Sequence, residues 1–253
     1  MPTDPLISII ITCYNYGKYL EQSVISALNQ TYQHVEVLVV DDGSPEIETQ
    51  NMLDKIESKY PLVRIYRKPN SGPSGARNFG IKQSKADYFI QLDADDYIAT
   101  TYAEACIELL AANPLVSPVY TDVSFFGDQK YNEQMIDWDF KTLKSKNFIC
   151  SCPAFSRKSW EACGGYDENL FGIEDYELFL HMAMKGFKGQ RIPQYLLFKR
   201  YHLSEMGCVG SVSEEKDPTD FKGKYIKAKH RLTLKSKFYH LLGIKQDLAK
   251  ILK

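Results

Sequence analysis

The chain has 253 residues, 44% hydrophobic and 25% charged, a balance that buries a sizeable core and fits one large domain or two small ones. Its longest apolar runs, 7–11 and 37–40, fall far short of the ~20 residues that cross a bilayer, and Met1-Pro2-Thr3-Asp4 has neither the basic nor the apolar region of a signal peptide, so a cytoplasmic protein is expected. The formal charge of −1 conceals an asymmetry, because residues 222–253 hold nine Lys, one Arg and one Asp, giving that stretch +9 and the remainder −10.

In chain order, apolar β-rich runs alternate with stretches of helical period, the pattern of an α/β fold with a largely parallel sheet. The first strand is predicted over 6–12. Tyr19, Leu20, Val24, Ile25, Ala27 and Leu28 recur at helical spacing and predict an amphipathic helix ending near Gln30. Residues 35–40 are apolar in character apart from Glu36, as a strand covered on both faces should largely be. They run into Asp41-Asp42-Gly43-Ser44-Pro45, where Ser44 is placed to cap a helix over 46–59 with Pro45 at its first position. A third strand over 63–67, a helix over 74–83 and a fourth strand over 87–92 follow. The second half predicts a helix over 101–112, a strand over 118–126, a polar linker to Lys146 and a strand-like stretch over 148–156. A short helix, the turn Gly164-Gly165, a helix over 175–185 and strands over 190–192 and 196–201 complete the pattern.

Open α/β sheets bind ligands outside the carboxyl ends of their strands, and three polar clusters fall there: Thr12-Cys13-Tyr14-Asn15, Asp41-Asp42-Gly43-Ser44 and Asp93-Ala94-Asp95-Asp96. In the last of these, each pair of carboxylates at about 4 Å repels by roughly 4 kcal/mol at an effective dielectric near 20. Hard divalent cations such as Mn²⁺ and Mg²⁺ prefer such oxygens, and Mg²⁺ completes its shell with water and phosphate. The residues alone leave two readings open, a metal site for a phosphorylated ligand and a solvated acidic turn; without its ligands the cluster is expected to be mobile or hydrated.

The six cysteines, Cys13, Cys106, Cys150, Cys152, Cys163 and Cys208, lack the paired spacing of a zinc site or a disulfide scaffold and are expected as reduced thiols.

Five segments together resemble the inverting nucleotide-sugar glycosyltransferases of family 2, which have the GT-A fold: "SIIITCYNYGKYLEQSVISALNQTY", "VEVLVVDDGSPEIET", "NSGPSGARNFGIKQSKADYFIQLDADDYI", "FGIEDYELFLHMAMKGF" and "RYHLSEMG". They occur in the family's order over roughly 6–207. The resemblance implies a catalytic domain over 1–220, with a nucleotide-binding half (1–100) and an acceptor half (101–220). It assigns Thr12, Tyr14, Asp42, Arg77, Asp93, Ala94 and Asp95 to the nucleotide. Asp93 would face the ribose and Asp95 the metal, with Asp93, Asp96 and His202 as further candidate ligands for Mn²⁺ or Mg²⁺. It makes Asp175 the general base, and Glu174 and Trp160 candidates for contact with the acceptor. The implied activity is inverting transfer from a nucleotide-sugar, expected to be a UDP-sugar, to a glycan or lipid-linked acceptor in surface polysaccharide synthesis. A sugar-nucleotide-forming nucleotidyltransferase and a non-catalytic sugar-nucleotide-binding protein are the alternatives. Nucleotidyltransferases open with a Gly-rich basic loop, whereas this chain has Thr12-Cys13-Tyr14-Asn15-Tyr16-Gly17 after its first strand.

In the extension over 221–253, Leu234, Phe238, Leu241, Leu242, Lys245, Leu248 and Leu252 recur at three- and four-residue steps. This predicts a basic amphipathic helix that either lies on an anionic membrane surface, making the protein peripheral at the inner face of the membrane, or docks on the catalytic domain. Nucleic acid is not an expected partner, since the other residues are acidic; a homo-oligomer is compatible with the sequence.

Overall fold

The computed structural model describes residues 4–170 and 172–203. The expected tail helix, Cys208 and the end of the last motif, Ser204-Glu205-Met206-Gly207, lie outside the described residues.

The first half is a run of β-α units. Strand β1 (Ile7–Cys13), helix α1 (Gly17–Leu28), β2 (Val35–Asp41), α2 (Ile47–Lys59), β3 (Val63–Arg67), α3 (Gly72–Gln83) and β4 (Tyr88–Asp93) follow one another. β1 pairs in parallel with β2 and β4, and β2 with β3. The chain moves outward from β1 to β3, then crosses back to lay β4 on the other side of β1. Right-handed crossovers therefore put α1 and α2 on one face and α3 on the opposite one. Ile9, Ile11 and Val39 are buried on the first face and Ile10 and Val40 on the second, as a sheet covered on both sides requires. Gly80 lets α3 lie close, since a Cβ there would stand 2.4 Å from Ile10 Cγ2.

The second half makes the sheet mixed. It contributes β5 (Tyr97–Ile98), α4 (Tyr102–Ala112), β6 (Val116–Gly127), β7 (Tyr131–Glu133), α5 (Phe140–Leu143), β8 (Ala154–Ser156), α6 (Arg157–Cys163), α7 (Glu174–Met184) and β9 (Lys188–Tyr201). β8 pairs antiparallel with β4 and β6, while β9 runs parallel to β6 and antiparallel to β5. The core on the α3 face joins Ile10, Val40, Phe89, Phe155, Trp160, Tyr166 and Leu178.

Several expectations need correction. Ser44 does not cap α2, whose N-cap is Glu46; its hydroxyl bonds the Asp41 carboxylate and accepts from Asn15 N at 2.9 Å, tying the loop after β1 to the loop after β2. The strand-like stretch over 148–156 is a strand only at its end, β8. The expected linker to Lys146 contains β7 and α5, and the two last strands are one, β9.

Candidate active site

The strand order reverses between β1 and β4, and at this switch the register sets Thr12 beside Asp93 and Cys13 beside Asp41. The acidic residues divide their work. Asp41 turns back to hold its own loop, accepting from Ser44 N at 3.2 Å and Gln50 Nε2 at 3.2 Å. Asp42 is buried and accepts from Lys68 Nζ at 2.6 Å and Ser71 N at 3.0 Å. Thr12 is half-buried, and Tyr14, 45% exposed, stands at the rim.

The cluster after β4 is held by the protein itself. Its charges meet fixed partners, and Ala94, Asp95 and Asp96 are buried. Asp93 Oδ1 accepts from Arg77 Nη2 at 3.1 Å, and its Oδ2 lies 3.6 Å from Lys199 Nζ. Burial opposes ionisation of Asp93, but these two cations outweigh it and hold the carboxyl below its ordinary range. Asp96 is saturated by protein, accepting from Arg200 N at 2.8 Å, Lys199 Nζ at 3.1 Å and the Cys152 thiol at 3.7 Å. Burial, with Asp95 and Asp93 nearby, still pushes it up to about 7 against the pull of Lys199. Asp95 Oδ2 lies 2.9 Å from His202 Nε2. The imidazole is wedged between Tyr16 and Tyr19, with ring centroids at 5.9 and 5.5 Å.

Arg77 is on the buried side of α3, and its guanidinium joins the two halves of the fold. Nη1 donates to Glu174 Oε1 at 2.9 Å and to Asp175 Oδ1 at 3.2 Å, while Nη2 reaches Asp93. Glu174, Asp175 and Glu177 occupy the first turn of α7, which has no side-chain cap; carboxylates there are favoured by the helix dipole. The loop before α7 is fastened by Asn78. Its Oδ1 accepts from Trp160 Nε1 at 3.2 Å and Tyr166 N at 2.9 Å, and its Nδ2 donates to Tyr166 O at 2.9 Å. Gly165 has φ +85°, and a Cβ there would approach Asn78 Oδ1 to 2.8 Å, so this turn needs glycine. Burial raises the Asp175 carboxyl to about 7, with Glu174 and Asp93 adding to it and Arg77 opposing.

A divalent cation can be tested against this donor set. The Asp95 oxygen and the His202 nitrogen lie side by side at the strand ends, an oxygen–nitrogen pair suited to Mn²⁺. Asp93, Asp96 and Cys152 also converge, their ligand atoms within 4.8 Å of one another, but the Lys199 ammonium already bonds this group. The residues present therefore offer a two-ligand position for a cation at Asp95 and His202, where it would replace the hydrogen bond between them. Around Arg77, the buried atoms Arg77 Nε, Glu174 Oε2 and Tyr166 Oη have no hydrogen-bond partner among the described residues, leaving polar capacity beside Asp175.

Of the residues singled out from sequence, Asp93, Arg77, Glu174 and Asp175 form one linked group, Asp95 and His202 a second, and Asp42 a third with Lys68. Trp160 belongs to none: it is 8% exposed and packs in the core with Phe155 and Tyr166, without a free face for a sugar. Lys199, Lys68 and Asn78 were not singled out. Asn78 directly follows Arg77 in "GARN" and could have been read with it; Lys199 lies three residues before His202, without a local signal.

Residues 8–162 match the family described as glycosyl transferase family 2. Chondroitin synthase of Pasteurella multocida (strain Pm70) is 31% identical over 198 residues, covering 72% of this chain and 19% of that protein. The Escherichia coli UDP-Glc:alpha-D-GlcNAc-diphosphoundecaprenol beta-1,3-glucosyltransferase WfaP is 29% identical over 242 residues, covering 90% of each. The chain spans less than half the length of the relatives it matches first. Among solved structures, GalNAc-T7 with UDP, GalNAc and Mn²⁺ superposes with a TM-score of 0.66 at 19% identity, over 81% of this chain and 45% of that one, a likeness of fold. The chain belongs to glycosyl transferase family 2.

Proposed function

We propose that this family 2 member is a metal-dependent inverting glycosyltransferase that moves a sugar from a UDP-sugar to a hydroxyl of a lipid-linked or growing glycan. The observation that carries this reading is Arg77, whose one guanidinium ties Asp93 at the donor strand ends to Asp175 at the start of α7. A donor group and a base are thereby held in fixed relation, as a direct displacement needs. Asp175 accepts the proton of the acceptor hydroxyl as that oxygen bonds to the anomeric carbon. The bond from that carbon to the diphosphate breaks, its electron pair leaves with the nucleotide, and the anomeric configuration inverts. A base whose carboxyl lies near 7 is matched to neutral conditions. Asp93 and Asp42 are the groups offered to the ribose and base, and Arg77 orients Asp175. Asp95 and His202 would hold Mn²⁺ or Mg²⁺, which supplies positive charge beside the leaving diphosphate.

UDP is favoured because the glucosyltransferase relative is named for UDP-Glc and the superposed GalNAc-T7 was solved with UDP. That relative's acceptor, a diphosphoundecaprenol-linked GlcNAc, favours a lipid-linked glycan here. The family match favours transfer over the nucleotidyltransferase and non-catalytic readings. No helix among the described residues is long and apolar enough to cross a membrane; attachment to a membrane surface through 222–253 is part of the proposal. A screen of sugar nucleotides by thermal stabilisation with Mn²⁺ tests the donor: one UDP-sugar raises the melting temperature, and no response to any nucleotide rejects it.

A further inference from the structure

Lys199 sits in β9 opposite Phe125 of β6, and its side chain, 12% exposed, turns into the donor site. Nζ donates to Ser151 Oγ at 2.7 Å and to Asp96 Oδ2 at 3.1 Å, and stands 3.6 Å from Asp93 Oδ2. It is thus bound within a group whose ligand atoms, from Asp93, Asp96 and Cys152, all lie within 4.8 Å of one another. Two carboxylates and a thiol drawn together are a donor set for a divalent ion, and the thiol would favour a thiophilic one such as Zn²⁺. A lysine is a compact point charge with three donors. Being covalently tethered, it offsets the charge of the two carboxylates without exchanging.

We propose that Lys199 is a built-in cation that fills the place among Asp93, Asp96 and Cys152 where a divalent ion would otherwise settle, so that exchangeable metal is confined to Asp95 and His202. This rests on the donor-site reading above and extends it: Lys199 is a positioning residue, acting through Asp93 and Asp96. It answers the repulsion of three carboxylates within four residues. Asp93 is bridged between Arg77 and Lys199, Asp96 is saturated by Lys199, Arg200 N and the Cys152 thiol, and Asp95 faces His202. The remaining metal position is the one left to Asp95 and His202.

The test compares the full chain with Lys199→Arg and Lys199→Met by thermal melting without nucleotide, in chelator and with Mn²⁺ or Zn²⁺. Lys199→Met should melt lower in chelator and respond to metal at concentrations about tenfold lower than the wild type, because removing a positive charge at this distance strengthens the site's hold on a cation. Lys199→Arg should behave as wild type, and adding Cys152→Ser to Lys199→Met should abolish a preference for Zn²⁺. Equal metal responses in all folded variants would overturn the proposal. If Lys199→Met does not fold in chelator, Mn²⁺ or Zn²⁺ must restore folding, and failure to do so counts equally against it. The donor reading fails separately, on a wild-type protein that no nucleotide stabilises.

Discussion

Arg77 Nη1 stands 3.2 Å from Asp175 Oδ1, both groups largely withdrawn from water. The same guanidinium bonds Glu174 and Asp93, so one planar fork bonds three carboxylates drawn from β4 and α7. Burial alone would disfavour the charge on Arg77, but Asp175, Asp93 and Glu174 raise its pKa well above the ordinary value.

Replacing Arg77 separates charge from geometry. Arg77→Met leaves buried carboxylates unpaired and should destabilise the fold by about 3–5 kcal/mol, read by urea denaturation. Arg77→Lys keeps the charge but cannot bond Asp93 and Asp175 at once, so transfer should fall by roughly two orders of magnitude with a smaller loss of stability.

Asp95 and His202 should govern the metal requirement together. His202→Ala and Asp95→Asn should each raise the Mn²⁺ concentration needed for half-maximal transfer by about 10–100-fold, whereas Tyr14→Phe at the exposed rim should leave it unchanged. Titration of activity against Mn²⁺ measures this.

The pH dependence follows from the raised carboxyl groups of Asp175 and Asp96, each about 7, against about 3.9 in an unfolded chain. Between those values the folded protein holds protons that the unfolded chain has released, so stability without metal falls as pH rises from about 4 to about 7. Over the upper part of that range Asp175 becomes ionised, so kcat/KM should rise with an apparent pKa near 7. Melting curves and rate profiles at matched pH read the two opposite trends.

Trp160 tests the distinction between core and site. Trp160→Ala empties space beside Phe155 and Tyr166 and should destabilise by about 3–5 kcal/mol, with acceptor KM in the folded fraction little changed, as measured by denaturation and kinetics.

The first half was legible because its strands are rich in β-branched and aromatic residues, such as Val63, Ile65 and Tyr66 within 63–67, a strand observed with those bounds. The short strand β5 was not, because it has no pattern of its own and exists through pairing with β9, and β8 was legible only as the end of a longer stretch, 148–156, whose earlier part forms no strand. β9 read as two strands because Pro193 interrupts it, but the pairing steps from Ile192 to Tyr195 across a register shift and continues. In the candidate site, residues that stand in local motifs were recognisable as candidates, among them Asp93, Asp95 and Arg77. Lys199 was not: it bonds Asp96 across 103 positions and Ser151 across 48, and a lysine in a strand gives no sign of which way it faces.

The central claim is that Asp175 removes the acceptor proton within an otherwise intact donor site, and Asp175→Asn tests it most directly. The variant should fold, be stabilised by the same UDP-sugar with Mn²⁺ as the wild type, and transfer sugar about 10²–10⁴-fold more slowly. Transfer at the wild-type rate by a folded, donor-binding Asp175→Asn protein would contradict the account.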